Sequence, residues 1–240
     1  MTAEPWNLDP PPGFQGLRPD LPVTVYHRHL PHWRQEGATY FVTIRLADSL
    51  PQAKLRELEA WKREWLARQG IRGTDCRSPL RADVPPDKWE EYAREIVQKV
   101  DRWLDQGMGA CPFKCSEARD IVLDTIRRFD GKRYELGCCV GMPNHVHVVV
   151  RPFDPRESPL EKILQSWKLW TARKVNALLR RDGTLWQQEA FDRIVRDAEH
   201  LWRCIQYIAR NPRYAGLSPE HFSLWINPAW ERCGWRFEPT

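Results

Sequence analysis

The segment from Met142 to Val150 reads MPNHVHVVV, and it decides how the rest of the chain is arranged. Its Pro143-Asn144 pair is typical of a turn, and the β-branched valines that follow are typical of a buried strand. Successive side chains of a strand point to opposite faces of the sheet. The three even-numbered valines therefore share a face suited to a hydrophobic core, while His145 and His147 share the opposite face.

Two imidazoles at this spacing have backbones roughly 6–7 Å apart, so both rings can reach one divalent cation. The same pattern also occurs on polar strand faces that bind no metal, and the pair alone leaves both interpretations open. A nucleotide hydrolase with three alternating histidines would need a third one where the chain has Val149. A zinc site would need further cysteine or histidine ligands, and no such set is obvious. Any remaining ligand must therefore come from elsewhere in the chain.

The composition favours a protein with reduced cysteine thiols and an anionic partner. The chain has 240 residues, enough for one sizeable core or two small ones, and a formal net charge of +5. Its seven cysteines match no disulfide framework and indicate free thiols in a cytosolic protein. We predict no signal peptide and no membrane span, because no apolar segment approaches the ~20 residues needed. The 13 tryptophans are expected mainly in cores, although aromatic faces beside basic groups also suit stacking on unpaired bases.

The remaining periodicities predict a mixture of helices and strands. The predicted strands are 40–46, 133–141 and 191–196, and the predicted helices are 51–69, 86–107, 117–129, 157–181 and 197–211, the last one ended by Pro212. Strand 133–141 would form a hairpin with the histidine strand and would place Gly137, Cys139 and Gly141 beside the histidines. Such small side chains would leave the histidine surface open to a ligand.

Proline residues and charged residues are unevenly distributed along the chain. Residues 1–36 are proline-rich and predict an irregular N-terminal arm. Residues 51–110 hold 12 basic and 11 acidic side chains, which indicates a structural helical hairpin and not an electrostatic footprint. Residues 151–214 hold 13 basic and 8 acidic side chains. The predicted helix at 157–181 carries much of this excess, which suits a phosphate backbone but also an ordinary solvated face.

An ordered set of motifs runs from about residue 30 to residue 217, with a gap over 51–110. The motifs are LPHW (30–33), GATYFVT (37–43), MPNHVH (142–147), WQ (186–187), FDR (191–193), DAEHL (197–201) and YIARNPRYAGL (207–217). Together they resemble the REP-associated tyrosine transposases, within the single-tyrosine HUH transposase superfamily. The resemblance implies a transposase domain at 37–217 with an insertion at about 51–110. It leaves a C-terminal tail at 218–240, whose tryptophans suggest that it docks on the domain.

The resemblance also implies a fold and a set of site residues. The implied fold is α+β, with an antiparallel ferredoxin-like (RRM-like) sheet, helices on one face, and the histidines on the central strand. The family's nucleophile corresponds to Tyr207. Its metal ligands correspond to His145, His147 and Asn211, and the asparagine lies one helical turn after the tyrosine. The implied metal is Mg²⁺ or Mn²⁺.

The activity that the resemblance implies is cleavage and transfer of single-stranded DNA at hairpin-forming repeats, through a 5′-phosphotyrosine intermediate. Its setting would be cytoplasmic and nucleoid-associated, without a membrane partner, in a monomer or homodimer. The candidates for DNA contact are Arg45, Lys168, Arg173, Lys174, Trp186 and Arg193. A catalytically silent protein that only binds DNA hairpins is the alternative, because the basic helix would serve it equally well.

Overall fold

The computed structural model describes residues 9–27, 31–71 and 84–238, so Cys76 and the first eight residues of the predicted arm lie outside the described part. The elements are β1 (Thr24–His27), β2 (Pro31–Arg34), β3 (Tyr40–Arg45), α1 (Gln52–Arg68), α2 (Pro86–Asp105), α3 (Ser116–Arg127), β4 (Tyr134–Gly141), β5 (His145–Pro152), α4 (Leu160–Leu178), β6 (Phe191–Ile194), α5 (Ala198–Tyr214), β7 (Ser223–Ile226) and α6 (Pro228–Arg232). None of the helices in this part of the chain is long and apolar enough to cross a lipid bilayer.

The central sheet has five antiparallel strands in the order β6-β3-β5-β4-β7. Its first four strands follow the β-α-β-β-α-β order of a ferredoxin-like fold. α3 precedes β4 and α4 precedes β6, and these two helices pack against each other. The predicted α+β class, with the histidine strand β5 at the centre of an antiparallel sheet, is confirmed.

Each face of the sheet buries a separate core. On the first face, Val146 and Val148 of β5 belong to a cluster with apolar side chains of α3 and α4. On the second face, which we call the histidine face, Phe41 and Val149 pack against α5 and the C-terminal segment. Helices therefore cover both faces and not one face only. The reason is that α5 has an apolar stripe of its own, which is buried only by lying across the histidine face.

A β-bulge at Gly137 changes which side chains of β4 lie beside the histidines. The register against β5 shifts between Leu136 and Cys138. As a result, Cys138 packs on the histidine face and Cys139 packs in the opposite core. The predicted strict alternation is wrong beyond Gly137, because a bulge inserts one residue and exchanges the two faces. The predicted open surface is wrong as well, since Trp230 of the tail lies directly over Gly137.

The two terminal segments pack on the sheet and on each other. β1 and β2 form an antiparallel hairpin, so the prediction of an irregular arm is wrong for this part of residues 1–36. The tail supplies β7, which pairs with β4. Trp230 and Trp235 are buried, and their indole nitrogens donate hydrogen bonds to the backbone oxygens of Pro12 and Asp9.

The helices α1 and α2 form a hairpin with its own small cores. One core contains Trp65, Trp89 and Tyr92, and another contains Leu58 and Trp103. The C-terminal end of α2 is tied to the turn before the histidine strand, where the Asn144 amide donates to the Leu104 carbonyl at 3.1 Å. α2 also contacts α5. The inserted hairpin therefore reaches both elements that carry the predicted catalytic residues.

The helix α5 is one turn longer than the sequence predicts. It begins after Asp197, whose carboxylate accepts a hydrogen bond from the His200 amide at 2.7 Å. It continues through Pro212 to Tyr214. A proline removes its own N–H from the helix but leaves later residues free to stay helical, so the prediction that Pro212 ends the helix is wrong. Asn211 therefore lies inside the helix, where it is buried.

Candidate active site

The pairing of β3 with β5 fixes the floor of the candidate site. Thr43 lies opposite His147, and Arg45 lies opposite His145. Directly opposed residues in an antiparallel pair point to the same side of the sheet. Both histidines, Thr43 and Arg45 therefore belong to the histidine face, as the sequence predicts for the case in which these strands pair.

The two imidazoles converge through their Nε2 atoms, which are 3.0 Å apart. Each ring is held from behind through Nδ1. His145 Nδ1 lies 2.7 Å from Asn144 Oδ1, and His147 Nδ1 lies 2.8 Å from Thr43 Oγ1. Since the Asn144 oxygen can only accept, His145 carries its proton on Nδ1 and presents a lone pair on Nε2. Hydrogen bonds of this kind orient histidine ligands in metal sites.

Burial keeps both histidines neutral. Their side chains are almost fully buried. Loss of solvation lowers the pKa of His145 to about 3 and holds the pKa of His147 well below its ordinary value. A neutral imidazole is the form that binds a metal. A cation therefore displaces no imidazolium proton at neutral pH. It requires only that the Nε2 proton that His147 donates to His145 moves to Nδ1 of His147, beside Thr43.

Tyr207 on α5 lies against the histidine pair. Its ring centroid is 5.1 Å from that of His147 and 5.8 Å from that of Phe41, with edge-to-face geometry in both cases. The Tyr207 hydroxyl donates to Asp101 Oδ2 at 2.8 Å. Burial and the negative charge of Asp101 raise the pKa of Tyr207, so the resting side chain is a phenol.

The inserted hairpin brings two carboxylates to this site that the sequence reading did not single out. Asp101 and Asp105 lie on α2, one turn apart. Burial raises the pKa of Asp101 to about 6 and that of Asp105 to about 7. A sign of their role was present in the sequence, because two acids near the C-terminal end of a helix oppose its dipole. The net charge of residues 51–110 is close to zero, so it does not reveal these two acidic residues.

Asn211 is fully buried one turn after Tyr207. It lies near enough to His145 and Asp105 to shift the pKa of both. Yet neither its amide oxygen nor its amide nitrogen makes a hydrogen bond of acceptable geometry with any described residue. Leaving buried polar atoms unsatisfied costs about 1–3 kcal/mol, so such atoms mark a place where a ligand would compensate them.

These residues fit a divalent cation. Two neutral imidazoles and an unsatisfied amide oxygen form a ligand set of nitrogen and oxygen atoms that suits Mn²⁺. The alternative is Mg²⁺, a harder Lewis acid that prefers oxygen ligands. Over residues 9–27, 31–71 and 84–238 no three His, Cys, Asp or Glu side chains cluster closely enough to hold a metal. The amide of Asn211 is therefore needed to complete a three-ligand site.

Two of the predicted DNA-contact residues lie on the histidine face. Arg193 of β6 is exposed, and its guanidinium lies 4.9 Å from the centroid of Phe41. Arg45 is largely buried, which lowers its pKa to about 10, and Asp101 and Glu189 attract its charge. Arg193 is thus accessible to a DNA phosphate, whereas Arg45 points under the inserted hairpin.

The other predicted DNA-contact residues lie away from the histidines. α4 packs on the opposite face of the sheet, where Arg173 and Lys174 are exposed. Lys168 of the same helix donates to the backbone oxygens of Gln187 and Gln188. Trp186 is buried, and its indole donates to Thr171 Oγ1 at 2.8 Å. The indole of Trp186 therefore packs in the core, and its predicted contact with DNA stays a prediction.

The fold and the site together define an α+β protein with a buried histidine pair and an adjacent tyrosine on a ferredoxin-like sheet. No protein-family model and no curated protein matches the chain. Among solved structures, the chain is similar to a REP-associated tyrosine transposase bound to a REP hairpin. The TM-score is 0.39 and the identity 12%, over 86% of this chain and 93% of the other. The similarity is a distant one.

Proposed function

We propose that this protein is a metal-dependent endonuclease and strand transferase for single-stranded DNA, which acts on hairpin-forming repeats through a 5′-phosphotyrosine intermediate. The observation that carries the proposal is the contact between the Tyr207 ring and His147, whose Nε2 converges with that of His145. Nucleophile and ligand pair come from elements about 60 residues apart in the chain. The ordered motifs described above support the same assignment.

In this proposal His145, His147 and Asn211 hold Mg²⁺ or Mn²⁺. When bound, the cation would polarise a phosphodiester and favour in-line attack on it. Thr43 and Asn144 fix the two rings from behind, which keeps their Nε2 atoms directed at one point. Arg193 lies beside this point and offers a positive charge to the phosphate oxygens.

Tyr207 Oη attacks phosphorus, and the bond between phosphorus and the 3′ oxygen breaks. The 5′ phosphate becomes attached to the tyrosine, and the departing 3′ oxygen takes a proton from solvent to become a free 3′-OH. The proton of Tyr207 already lies on a hydrogen bond to Asp101. Burial raises the pKa of Asp101 to about 6, which makes this carboxylate a stronger base than an exposed one. Because the new phosphotyrosine bond replaces the broken ester bond, the phosphate remains a diester, and attack by another 3′-OH rejoins strands without ATP.

The test is formation of a covalent adduct with hairpin DNA. Wild-type protein, incubated with end-labelled DNA hairpins carrying unpaired flanks and with Mn²⁺, should give a labelled protein band after denaturing electrophoresis. Tyr207→Phe should give none, because the attacking oxygen is removed. Tyr214→Phe is the matched control, since Tyr214 lies on the same helix and is 68% exposed. An adduct in Tyr207→Phe at the wild-type level would reject Tyr207 as the nucleophile.

A catalytically silent DNA-hairpin-binding protein is the second candidate. It is favoured by the exposed basic side chains of α4, which lie on the face of the sheet opposite to the histidines. It predicts hairpin binding that survives both EDTA and Tyr207→Phe, with no adduct for the wild-type protein. The adduct assay and a binding titration on the same oligonucleotide separate the two functions.

A further inference from the structure

A cavity of 750 Å³ lies between the inserted hairpin and the sheet, next to the candidate active site. Thr43 and Asp101 line this cavity and also contact the site. Thr43 is hydrogen-bonded to His147, and Asp101 accepts a hydrogen bond from Tyr207. The remaining walls come from α1, α2 and the segment 184–191. A ligand in the cavity would lie directly beside the nucleophile.

The lining is mainly apolar, with aromatic rings and one unsatisfied donor. Trp89 and Tyr92 of α2 contribute two rings, Trp186 and Phe191 contribute two more, and aliphatic side chains come from both helices. Arg45 also lines the cavity, and its Nη1 is buried without a hydrogen-bond partner in the described part of the chain. The volume lies within the range of about 300–1,000 Å³ that is usual for pockets that bury a small organic ligand.

We propose that this cavity binds one unpaired purine base of the substrate strand, adjacent to the phosphodiester that Tyr207 attacks. The proposal rests on the function proposed above and adds a specificity subsite to it. Aromatic rings suit the flat face of a base. A guanidinium donor suits the acceptor atoms of a purine edge, above all O6 and N7 of guanine.

Charge favours a base over a phosphate in this cavity. The charged side chains in the lining are Arg45, Lys62, Glu59, Asp101 and Glu189, which carry one more negative than positive charge when all are ionised. A buried phosphate would meet this negative balance without compensation, whereas a neutral base would not. Arg45 therefore contributes to the choice of base, while Arg193 is placed for the phosphate backbone.

The inserted hairpin builds most of the cavity, and none of the motifs shared with the tyrosine transposases lies within 51–110. The subsite is thus a property of this chain's own insertion. Loss of the hairpin would remove base selection together with Asp101.

The experiment has two stages, so that the two proposals fail separately. In the first stage, DNA hairpins with randomised unpaired flanks are incubated with wild-type protein and Mn²⁺, and the adducts are sequenced to locate the cleaved bond. If no adduct forms, the proposed function itself is refuted. In the second stage, the binding of Tyr207→Phe protein is measured for the selected hairpin with an abasic site at each unpaired position in turn.

We expect one position next to the cleaved bond to lose about tenfold or more in affinity when its base is removed. Adding Ala93→Trp, which fills the cavity from α2, should abolish this difference, whereas Ala67→Trp on the exposed side of α1 should retain it. Adding Arg45→Met should erase the purine preference at that position alone. By contrast, Lys174→Met should weaken all the hairpins equally.

An unchanged abasic penalty in Ala93→Trp protein with a native circular dichroism spectrum would place the base elsewhere and overturn the inference. If Ala93→Trp fails to fold, the decision falls to Arg45→Met. An unaltered purine preference in that variant would overturn the inference equally.

Discussion

The 2.8 Å hydrogen bond between Tyr207 and Asp101 joins α5 to α2 of the inserted hairpin. Such a contact lets a carboxylate hold a phenol in place and also take its proton. Its two partners lie 106 residues apart in the chain. Substitution of Asp101 therefore tests directly what the inserted hairpin contributes to the candidate site.

Asp101→Asn should make the stability of the metal-free protein less dependent on pH. Burial raises the pKa of Asp101 from 3.8 to about 6, so folding favours the protonated form. The stabilisation is complete below the unfolded pKa and is lost as pH rises through the folded pKa. Asparagine never ionises. The advantage of the variant in urea unfolding should thus grow between pH 4 and pH 7, by on the order of 1–3 kcal/mol.

The same variant should form the DNA adduct more slowly than the wild-type protein at neutral pH, since an amide oxygen accepts the hydrogen bond but not the proton. If the free energies of unfolding of wild type and Asp101→Asn differed by the same amount at every pH, the pKa of Asp101 would not be raised by folding. In that case its contribution to Tyr207 would be steric.

Asn211→Leu should separate metal binding from structural packing. The change replaces two buried polar atoms without partners by an apolar group of similar size, which is expected to be neutral or stabilising in EDTA. Mn²⁺ at about 100 times its dissociation constant should stabilise the wild-type protein by about 2.7 kcal/mol, and the variant by much less. Thermal unfolding in EDTA and in Mn²⁺ measures both effects. A variant that is less stable in EDTA but keeps the full Mn²⁺ response would identify Asn211 as a packing residue.

At the scale of elements, the bulge in β4 links the sheet to the C-terminal tail. A Cβ at position 137 would clash with the six-membered ring of Trp230, so only glycine permits this contact. The bulge also sends Cys138 to the histidine face, and no sequence period indicates where it occurs. The tail therefore completes the core on the face that carries the candidate site.

Gly137→Ala should destabilise the protein by about 1–3 kcal/mol, because the tryptophan ring must move out of a filled core. Combining it with Trp230→Leu should cost less than the sum of the two single changes, since the smaller side chain leaves room for the added methyl group. Chemical unfolding of the wild-type protein, both single variants and the double variant provides the measurement. Strict additivity would mean that the two residues do not interact in solution.

At the scale of the whole molecule, the two groups of predicted DNA-contact residues lie on opposite faces of the sheet. Arg193 and Arg45 belong to the histidine face, and the basic side chains of α4 belong to the other. A DNA hairpin that engages both groups must therefore pass around an edge of the sheet. A short single strand would reach the histidine face alone.

Reversing the charge of α4 with Arg173→Glu and Lys174→Glu should test this division. Hairpin affinity should fall and its dependence on salt should become shallower, because phosphate contacts are lost. Adduct formation with a short unpaired oligonucleotide should stay within about twofold of the wild-type rate, since α4 lies away from Tyr207. Binding titrations at several salt concentrations and the adduct assay give both quantities. An equal loss on both substrates would show that one DNA path runs across both faces.

The sequence by itself predicted strands β3, β4, β5 and β6 of the central sheet and the two faces of β5. Alternation along β3 and β5 placed the valines in one core and His145 and His147 on the other face, because a two-residue period leaves no other choice in a buried strand. It also predicted the helices α1 to α5, and its resemblance to the tyrosine transposases pointed to Tyr207 and Asn211.

Only the tertiary structure decided what surrounds the histidines. Contacts between segments far apart in sequence bring Asp101 and Asp105 to the site and place Trp230 over Gly137. Such contacts also pack α5 across the histidine face. Local periodicity records how a segment is divided between solvent and core, but not which distant segment covers it. The inserted hairpin looks like a neutral structural unit in sequence, and it contributes to the candidate site solely through where it packs.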